Sequence, residues 1–248
     1  MPINALHEYD FTPQTDREAA ERLRRKAALK RDEFDQLSAR QRRHAFTMAK
    51  VNNARLLQQI KNKLRAAIDK GVPYADFRRQ VEDLFDRKGL PRPGLHRIQL
   101  VFRMQAQQAY SDGRREVLDS KEVSNAFGYR MYKTVGNGTP GVRNVRPDHA
   151  VLHNKIFKWN DPFWDRFTPP WDYNCRCTFI ALTEGQVKAR RGIVWTWKGG
   201  AVTPLTDKRP KPIKVKPTKG FSSRRNEKLD LSGLDEDLRQ ALEASLGN

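Results

Sequence analysis

The sequence predicts an α+β protein: a mainly α-helical N-terminal half, then a small α+β module, then an extended basic C-terminal arm and a terminal helix. Three observations carry this expectation. Leu57, Ile60, Leu64 and Ile68 recur at steps of three and four residues, the period of one helix face. From Tyr129 the pattern changes to a loose alternation rich in aromatic and β-branched residues, as a strand requires. Between Arg146 and Glu184 the chain gathers both of its cysteines, three of its five tryptophans and two of its five histidines.

Taken in order, residues 1–15 read as irregular, with Pro2 and Pro13. A polar helix is expected from about Thr15, with Thr15 as N-cap and Asp16 and Glu18 in the first turn. Residues 17–70 carry 16 Lys/Arg against 6 Asp/Glu, so this part is strongly basic. Ser38 is expected to cap a second segment that holds Ala45, Phe46 and Met48. The stripe from Leu57 to Ile68 stops at Gly71, with Lys70 in the last turn. A shorter helix carries Phe77, Val81, Leu84 and Phe85 and ends before Gly89 and Pro91. A third runs from Leu95 to about Asp119, with Ile98, Val101, Phe102 and Ala109 on one face. These stripes read as core, and His44 as a solvated residue of a basic segment.

Tyr129 to Val135 is read as a strand, followed by a Gly136–Gly141 turn. That turn lacks the strand–loop–helix setting and the Lys-Ser/Thr ending of a phosphate-binding loop. A short helix is expected over 184–190 and a brief strand over Val194–Trp197. From Lys198 to Lys228 the composition shifts to ten Lys/Arg against two acids, punctuated by four prolines. This reads as an extended or surface-draped arm, either a linker or a polyanion-binding segment. Its candidate DNA contacts are Lys208, Arg209, Lys211, Lys214, Lys216, Lys219, Arg224 and Arg225. Leu234, Leu238, Leu242 and Leu246 then mark a terminal amphipathic helix. Such a helix either docks on a partner or folds back on its own chain. The expected division is 1–52, 53–197 and 198–248.

The formal net charge of +19 over 248 residues, with a pI near 10.2, favours a polyanionic partner, nucleic acid first. No helix-turn-helix, zinc-finger or RNA-recognition signature argues for sequence reading. A mean hydropathy of −0.82 fits a polar chain with extended parts. No apolar run approaches the roughly 18 residues of a membrane span. The first residues lack the charged and apolar regions of a signal peptide. Two cysteines one residue apart make no disulfide framework, so a reducing setting is expected.

The 146–184 stretch is where chemistry could sit. His149 and His153 are four apart and share a face on a helix; Cys175 and Cys177 are two apart and point the same way on a strand. Together they make a candidate tetrahedral zinc set. The spacing departs from the usual CxxC knuckle, and Pro147 lets a helix only begin there. The other reading is two reduced, partly buried cysteines among aromatic rings. A disulfide between them would need strained geometry. A cysteine nucleophile activated by His149, with Asp172 or Asp148 as orienter, is a further reading, as is a nuclease using His149 and Arg146. No nucleophile elbow or oxyanion signature accompanies either. Trp159, Phe163, Trp164, Phe167 and Trp171 read as buried area, Asp161-Pro162 and Pro169-Pro170 as turns, and Asp172 and Asn174 as local ties before the cysteines.

The order RPDHAVLH, DPFW, PPWDYNCRC resembles the phage Mu F-like minor head protein family, also called the head morphogenesis family. Arg146, Pro147, His149, Pro169, Pro170, Asn174, Cys175, Arg176 and Cys177 match its pattern. Asn154 stands where the family usually has glycine, and Asn tolerates the left-handed turn needed there. His153 falls at a variable position, against a four-ligand zinc site. The match is strong over about forty residues and only general over the helical part before them. The resemblance implies a virion or assembly protein rather than an enzyme, with portal, capsid or scaffold proteins and DNA as partners. Its motif residues would then hold the module together or bind a metal, zinc being the candidate cofactor. The alternatives are a metal-dependent nuclease or Cys/His hydrolase, and a non-specific nucleic-acid-binding protein with no capsid role.

Overall fold

The computed structural model describes residues 17–136, 144–207, 209–218, 221 and 229–246. The chain divides between Tyr110 and Ser111 into two units, and residues 228–248 return to the first. Thr15 and Asp16, the 137–143 part of the glycine turn, and Lys208, Lys219, Arg224 and Arg225 lie outside the described residues.

The first unit begins with α1 (Arg17–Arg24), which buries Ala19, Ala20 and Leu23. β1 (Ala27–Ala28) is followed by α2 (Arg31–Gln36) and a 3-10 turn over Gln41–His44. β2 (Ala45–Phe46) then pairs with β1 in parallel. Ser38 does act as a cap, exchanging bonds with Gln41: the Ser38 amide donates to Gln41 Oε1 at 2.7 Å. The segment it caps is that single turn, which corrects the expected helix. Ala45 and Phe46 leave it because their backbone is taken by β1, with the Leu29 amide donating to the Phe46 carbonyl at 2.9 Å.

α3 (Ala54–Lys70) forms where the stripe predicts it. The Asn53 side chain accepts from the Leu56 amide at 2.9 Å, and Gly71 closes the helix at φ 68°, in the left-handed region glycine enters without cost. Leu57, Ile60, Leu64 and Ile68 are all buried. α4 (Tyr74–Asp86) adds Phe77, Val81, Leu84 and Phe85, and α5 (Leu95–Asp119) adds Ile98, Phe102 and Ala109 up to the unit's end. The Phe102 ring sits 4.9 Å from Phe77 and 5.4 Å from Tyr74. Val101 is only half-buried at the margin of this core.

Lys61 is the exception on the apolar face of α3. Only 4% of it is exposed, and its ammonium donates to the carbonyls of Arg24 and Lys26. Burial, then the charges of Arg24 and Arg65, push its pKa down to about 8. In the unfolded chain it holds its proton to about pH 10.4. Between those values the unfolded state binds more protons, so stability rises with pH there; the cost is present in full below about pH 8. Urea titrations at pH 7.5 and 10 are expected to show this gain, on the order of 3 kcal/mol at roughly 1.36 kcal/mol per pH unit. Lys61→Met is expected to remove it, and an unchanged pH slope in that variant would refute the assignment.

The second unit holds the remaining turns of α5, then α6 (Lys121–Ala126) and β3 (Tyr129–Lys133). α7 (Pro147–Ala150), β4 (Ile156–Lys158), α8 (Phe163–Phe167) and β5 (Thr178–Leu182) come next. α9 (Glu184–Ala189), β6 (Val194–Lys198) and β7 (Ala201–Pro204) complete it. The sheet runs β5-β3-β4-β6-β7, all neighbours antiparallel except the β4–β6 pair. Thr183 and Gln186 form a reciprocal capping box that starts α9. Tyr132, Phe157, Phe163, Trp164, Phe167, Trp171 and Phe179 fill the core, with the Phe157 and Phe163 rings stacked at 3.8 Å. The α+β expectation is borne out. α6, β4, α8 and β5 are absent from the sequence reading.

The basic arm is not merely draped on the surface. Val202 and Ile213 exchange backbone hydrogen bonds at 2.8 and 2.9 Å, and Val202 and Val215 are buried in the aromatic core. The reason is the alternation Ile213-Lys-Val215-Lys-Pro217, which points Val215 and Pro217 inward and leaves Lys214 and Lys216 exposed. Lys211 is exposed as well, and Arg209 is paired with Asp207 at 2.7 Å. The chain then returns to the first unit as α10 (Glu236–Leu246), capped by Asp235 Oδ1 on the Leu238 amide at 2.9 Å. Leu238 and Leu242 pack with Ala27, Leu29, Leu37 and Ala45. Of the two readings of this helix, folding back is the one observed; Leu246 remains exposed. No described helix is long and apolar enough to cross a membrane.

Candidate metal centre

The sheet topology assembles the site. β3 is antiparallel to both β4 and β5, so its C-terminal end lies beside their starts, with Lys133 opposite Thr178 and Met131 opposite Ile156. α7 lies in the chain between β3 and β4, and the cysteines come just before β5. His149 and the cysteine pair, 26 and 28 residues apart in sequence, are therefore delivered to one edge of the sheet.

Pro147 is the first helical residue of α7, where its missing amide hydrogen costs nothing. One turn on, His149 points inward and is buried. Its ring stacks on Trp171 with centroids 3.7 Å apart and planes 5° from parallel. Its Nδ1 lies 3.4 Å from Cys177 Sγ, 3.7 Å from Cys175 Sγ and 3.4 Å from the Tyr132 hydroxyl. Its Nε2 faces Asp172 Oδ2 at 3.4 Å, a contact without hydrogen-bond geometry. Arg146 also reaches Asp172 Oδ2, at 3.1 Å, and donates to the Tyr173 carbonyl at 2.7 Å. Trp171 donates through Nε1 to the Tyr132 hydroxyl at 2.7 Å.

The cysteines do not lie on a strand, as the sequence reading expected. β5 begins at Thr178, and residues 172–177 form a turn in which the Cys175 amide donates to the Asp172 carbonyl at 3.2 Å. Asn174 sits in that turn at φ 55°, and the Asp172 side chain accepts from the Tyr173 amide at 2.7 Å, the local ties expected of these two residues. Asn154 adopts φ 64°, the left-handed conformation its place in the motif requires. Pro169 and Pro170 are joined by a cis peptide bond, and the Pro169 carbonyl accepts from Ser111 Oγ.

Both thiols are buried and free of disulfide. Hydrogen bonding from Cys175, then from His149 and Tyr132, draws the Cys177 thiol well below its ordinary range against the opposing effect of burial. The Cys175 thiol is pushed up, by its hydrogen bond to Cys177 and by burial. Burial and the neighbouring thiols hold the Tyr132 phenol up.

His149, Cys175 and Cys177 are thus one cluster, their ligand atoms all within 4.8 Å of one another. His153 stands outside it: its Nδ1 is engaged by the Thr134 amide at 3.2 Å and by Thr134 Oγ1 at 2.6 Å. Asp172, not the exposed Asp148, is the carboxylate beside His149. A cavity of about 210 Å³ adjoins the cluster, lined by Asn144, Arg146, Asn174 and Arg176 among others. Sequence reasoning missed Tyr132 and the stacking role of Trp171. The only available signal for Trp171 was its place directly after Pro169-Pro170; for Tyr132 there was none.

Residues 58–180 match the family model described as Phage Mu protein F like protein. The putative capsid assembly protein F of Escherichia phage Mu is 26% identical over 160 residues, a match covering 58% of this chain and 35% of that protein. The Mu-like prophage FluMu F protein of Haemophilus influenzae is 28% identical over 171 residues, covering 63% of this chain and 39% of that protein. The chain therefore spans between a third and two fifths of the length of these curated relatives. No solved structure matches the chain.

Proposed function

We propose, on the premise that residues 58–180 belong to the Phage Mu protein F like family, that this protein works in head morphogenesis of a phage or prophage. In this reading it associates with the portal or procapsid and contacts DNA through the phosphate backbone. The family match carries the reading, because a relative it covers is named for capsid assembly. The net charge of +19 supports the DNA contact, since counterion release favours binding whatever the base sequence. Lys211, Lys214 and Lys216 project from a segment anchored by Val215, so their charges sit on a fixed surface.

Co-purification with a portal ring and with procapsids tests the assembly role: retention by either is expected, and recovery of free protein from both would overturn it. For DNA, log K against log salt is expected to be linear and steep. Replacing Lys211, Lys214 and Lys216 together with alanine is expected to reduce the slope by about 3, at roughly 0.9 for each phosphate no longer neutralised. A slope unchanged by the triple substitution would remove these lysines from the DNA-binding surface.

A Cys/His hydrolase is the second reading, and one observation favours it: Cys177, His149 and Asp172 stand in the order thiol, imidazole, carboxylate. Against it, a second thiol crowds the same imidazole nitrogen, and both sulfurs are shielded from substrate by burial. Hydrolase or nuclease activity that disappears in His149→Ala while the fold persists would establish it.

A further inference from the structure

We propose that His149 Nδ1, Cys175 Sγ and Cys177 Sγ bind one zinc ion, with a water molecule in the fourth position on the side of the adjoining cavity. The distances fit a tetrahedron. Zinc–sulfur bonds of about 2.3 Å and zinc–nitrogen bonds of about 2.0–2.1 Å place nitrogen and sulfur about 3.5–3.6 Å apart. The two observed separations, 3.4 and 3.7 Å, bracket that value.

Hydrogen bonding alone leaves the arrangement unexplained. Two sulfurs and a hydroxyl converge on one imidazole nitrogen, which has either one lone pair or one proton to offer. A cation among them satisfies the nitrogen and both sulfurs together. It also cancels the charge of two thiolates that would otherwise be costly to bury. Two thiolates and an imidazole are the soft and borderline donors that suit zinc, and they exclude magnesium and calcium, which take oxygen ligands.

The surroundings are those a zinc histidine needs. With Nδ1 committed to the metal, Nε2 carries the proton and faces the Asp172 carboxylate, which fixes the tautomer and the ring. Trp171 stacks on the imidazole and holds its plane. The Tyr132 hydroxyl, whose lone pair is taken by Trp171 Nε1, keeps its proton for a thiolate. His153 is not a ligand, because it stands outside the cluster with its Nδ1 bound to Thr134.

The test is elemental analysis of the full chain purified without chelator and then supplied with zinc under reducing conditions. About one zinc per chain is expected, the stoichiometry of a single site. Cys175→Ser, Cys177→Ser and His149→Ala are each expected to lose it, and His153→Ala to keep it. Because a ligand variant could lose metal by failing to fold, cobalt exchanged into the wild-type protein supplies a second measurement. Thiolate-to-cobalt charge-transfer bands together with the visible bands of tetrahedral cobalt are expected. A metal-free wild-type protein without cobalt bands would overturn the proposal. So would zinc lost from His153→Ala, or zinc retained in a folded Cys177→Ser variant.

Discussion

Trp171→Ala is expected to lower the stability of the second unit by about 3–5 kcal/mol, the range for truncating a buried tryptophan. Trp171 is 2% exposed and touches three things at once. It stacks on His149, meets the Phe167 ring edge-on at 5.2 Å, and donates to the Tyr132 hydroxyl. Truncation leaves a cavity between rings that cannot close on it, and it removes the one N–H that fixes Tyr132. Trp171→Phe separates the two effects: it keeps a ring against His149 and loses the donor, and is expected to cost about 1–2 kcal/mol. All five tryptophans lie within residues 111–227, so tryptophan fluorescence follows only this unit during urea unfolding. A fall in midpoint at constant slope is the expected signature. A change below about 1 kcal/mol in Trp171→Ala would mean that the site tolerates collapse and that the ring does not organise it.

The helical stripes were legible because each buried face repeats at 3.6 residues and each end has its own chemistry. α5 was placed from Leu95 to Asp119 by four apolar positions, and α3 was closed by Gly71. The elements that escaped are short or have two covered faces. β4 is three residues long, and in β3 Arg130, Met131 and Tyr132 are all buried, so no alternation exists to read. The arm misled through its prolines: composition suggested an unanchored chain, while two alternating residues, Ile213 and Val215, were enough to add it to the sheet and core.

The site was legible in its residue types and hidden in its geometry. His149, Cys175, Cys177 and Asp172 were all singled out by kind and spacing, yet His153 had equal standing in sequence. Only the strand order distinguishes the two histidines. The C-terminal end of β3 meets the starts of β4 and β5, and the turn after α7 sends His153 to Thr134 instead. Spacing along the chain cannot report an encounter made by a sheet.

The second large effect is expected away from that cluster, at Asp119. Its Oδ1 accepts from Arg130 Nη2 at 2.5 Å and its Oδ2 from Arg115 Nε at 3.1 Å. Arg130 is 1% exposed, and burial pulls its pKa down while Asp119 pulls it back up. Arg115 has further acceptors in the Trp164 carbonyl, Thr168 Oγ1 and Asp165. Arg130 has none among the described residues: its Nε and Nη1 find no acceptor, and beyond Asp119 it has only the Phe179 ring, 5.5 Å from its guanidinium. Asp119→Ala therefore strands a buried cation, which is expected to cost about 3–5 kcal/mol. Removing the cation as well should recover most of that loss, because an apolar side chain needs no counter-charge in the same space. Arg130→Met combined with Asp119→Ala is thus expected to be more stable than Asp119→Ala alone, by about 2 kcal/mol or more. Tryptophan fluorescence through urea unfolding measures the wild type and both variants on one scale. If the double variant is no more stable than Asp119→Ala, the cost lies in packing at the end of α5 and not in an uncompensated charge.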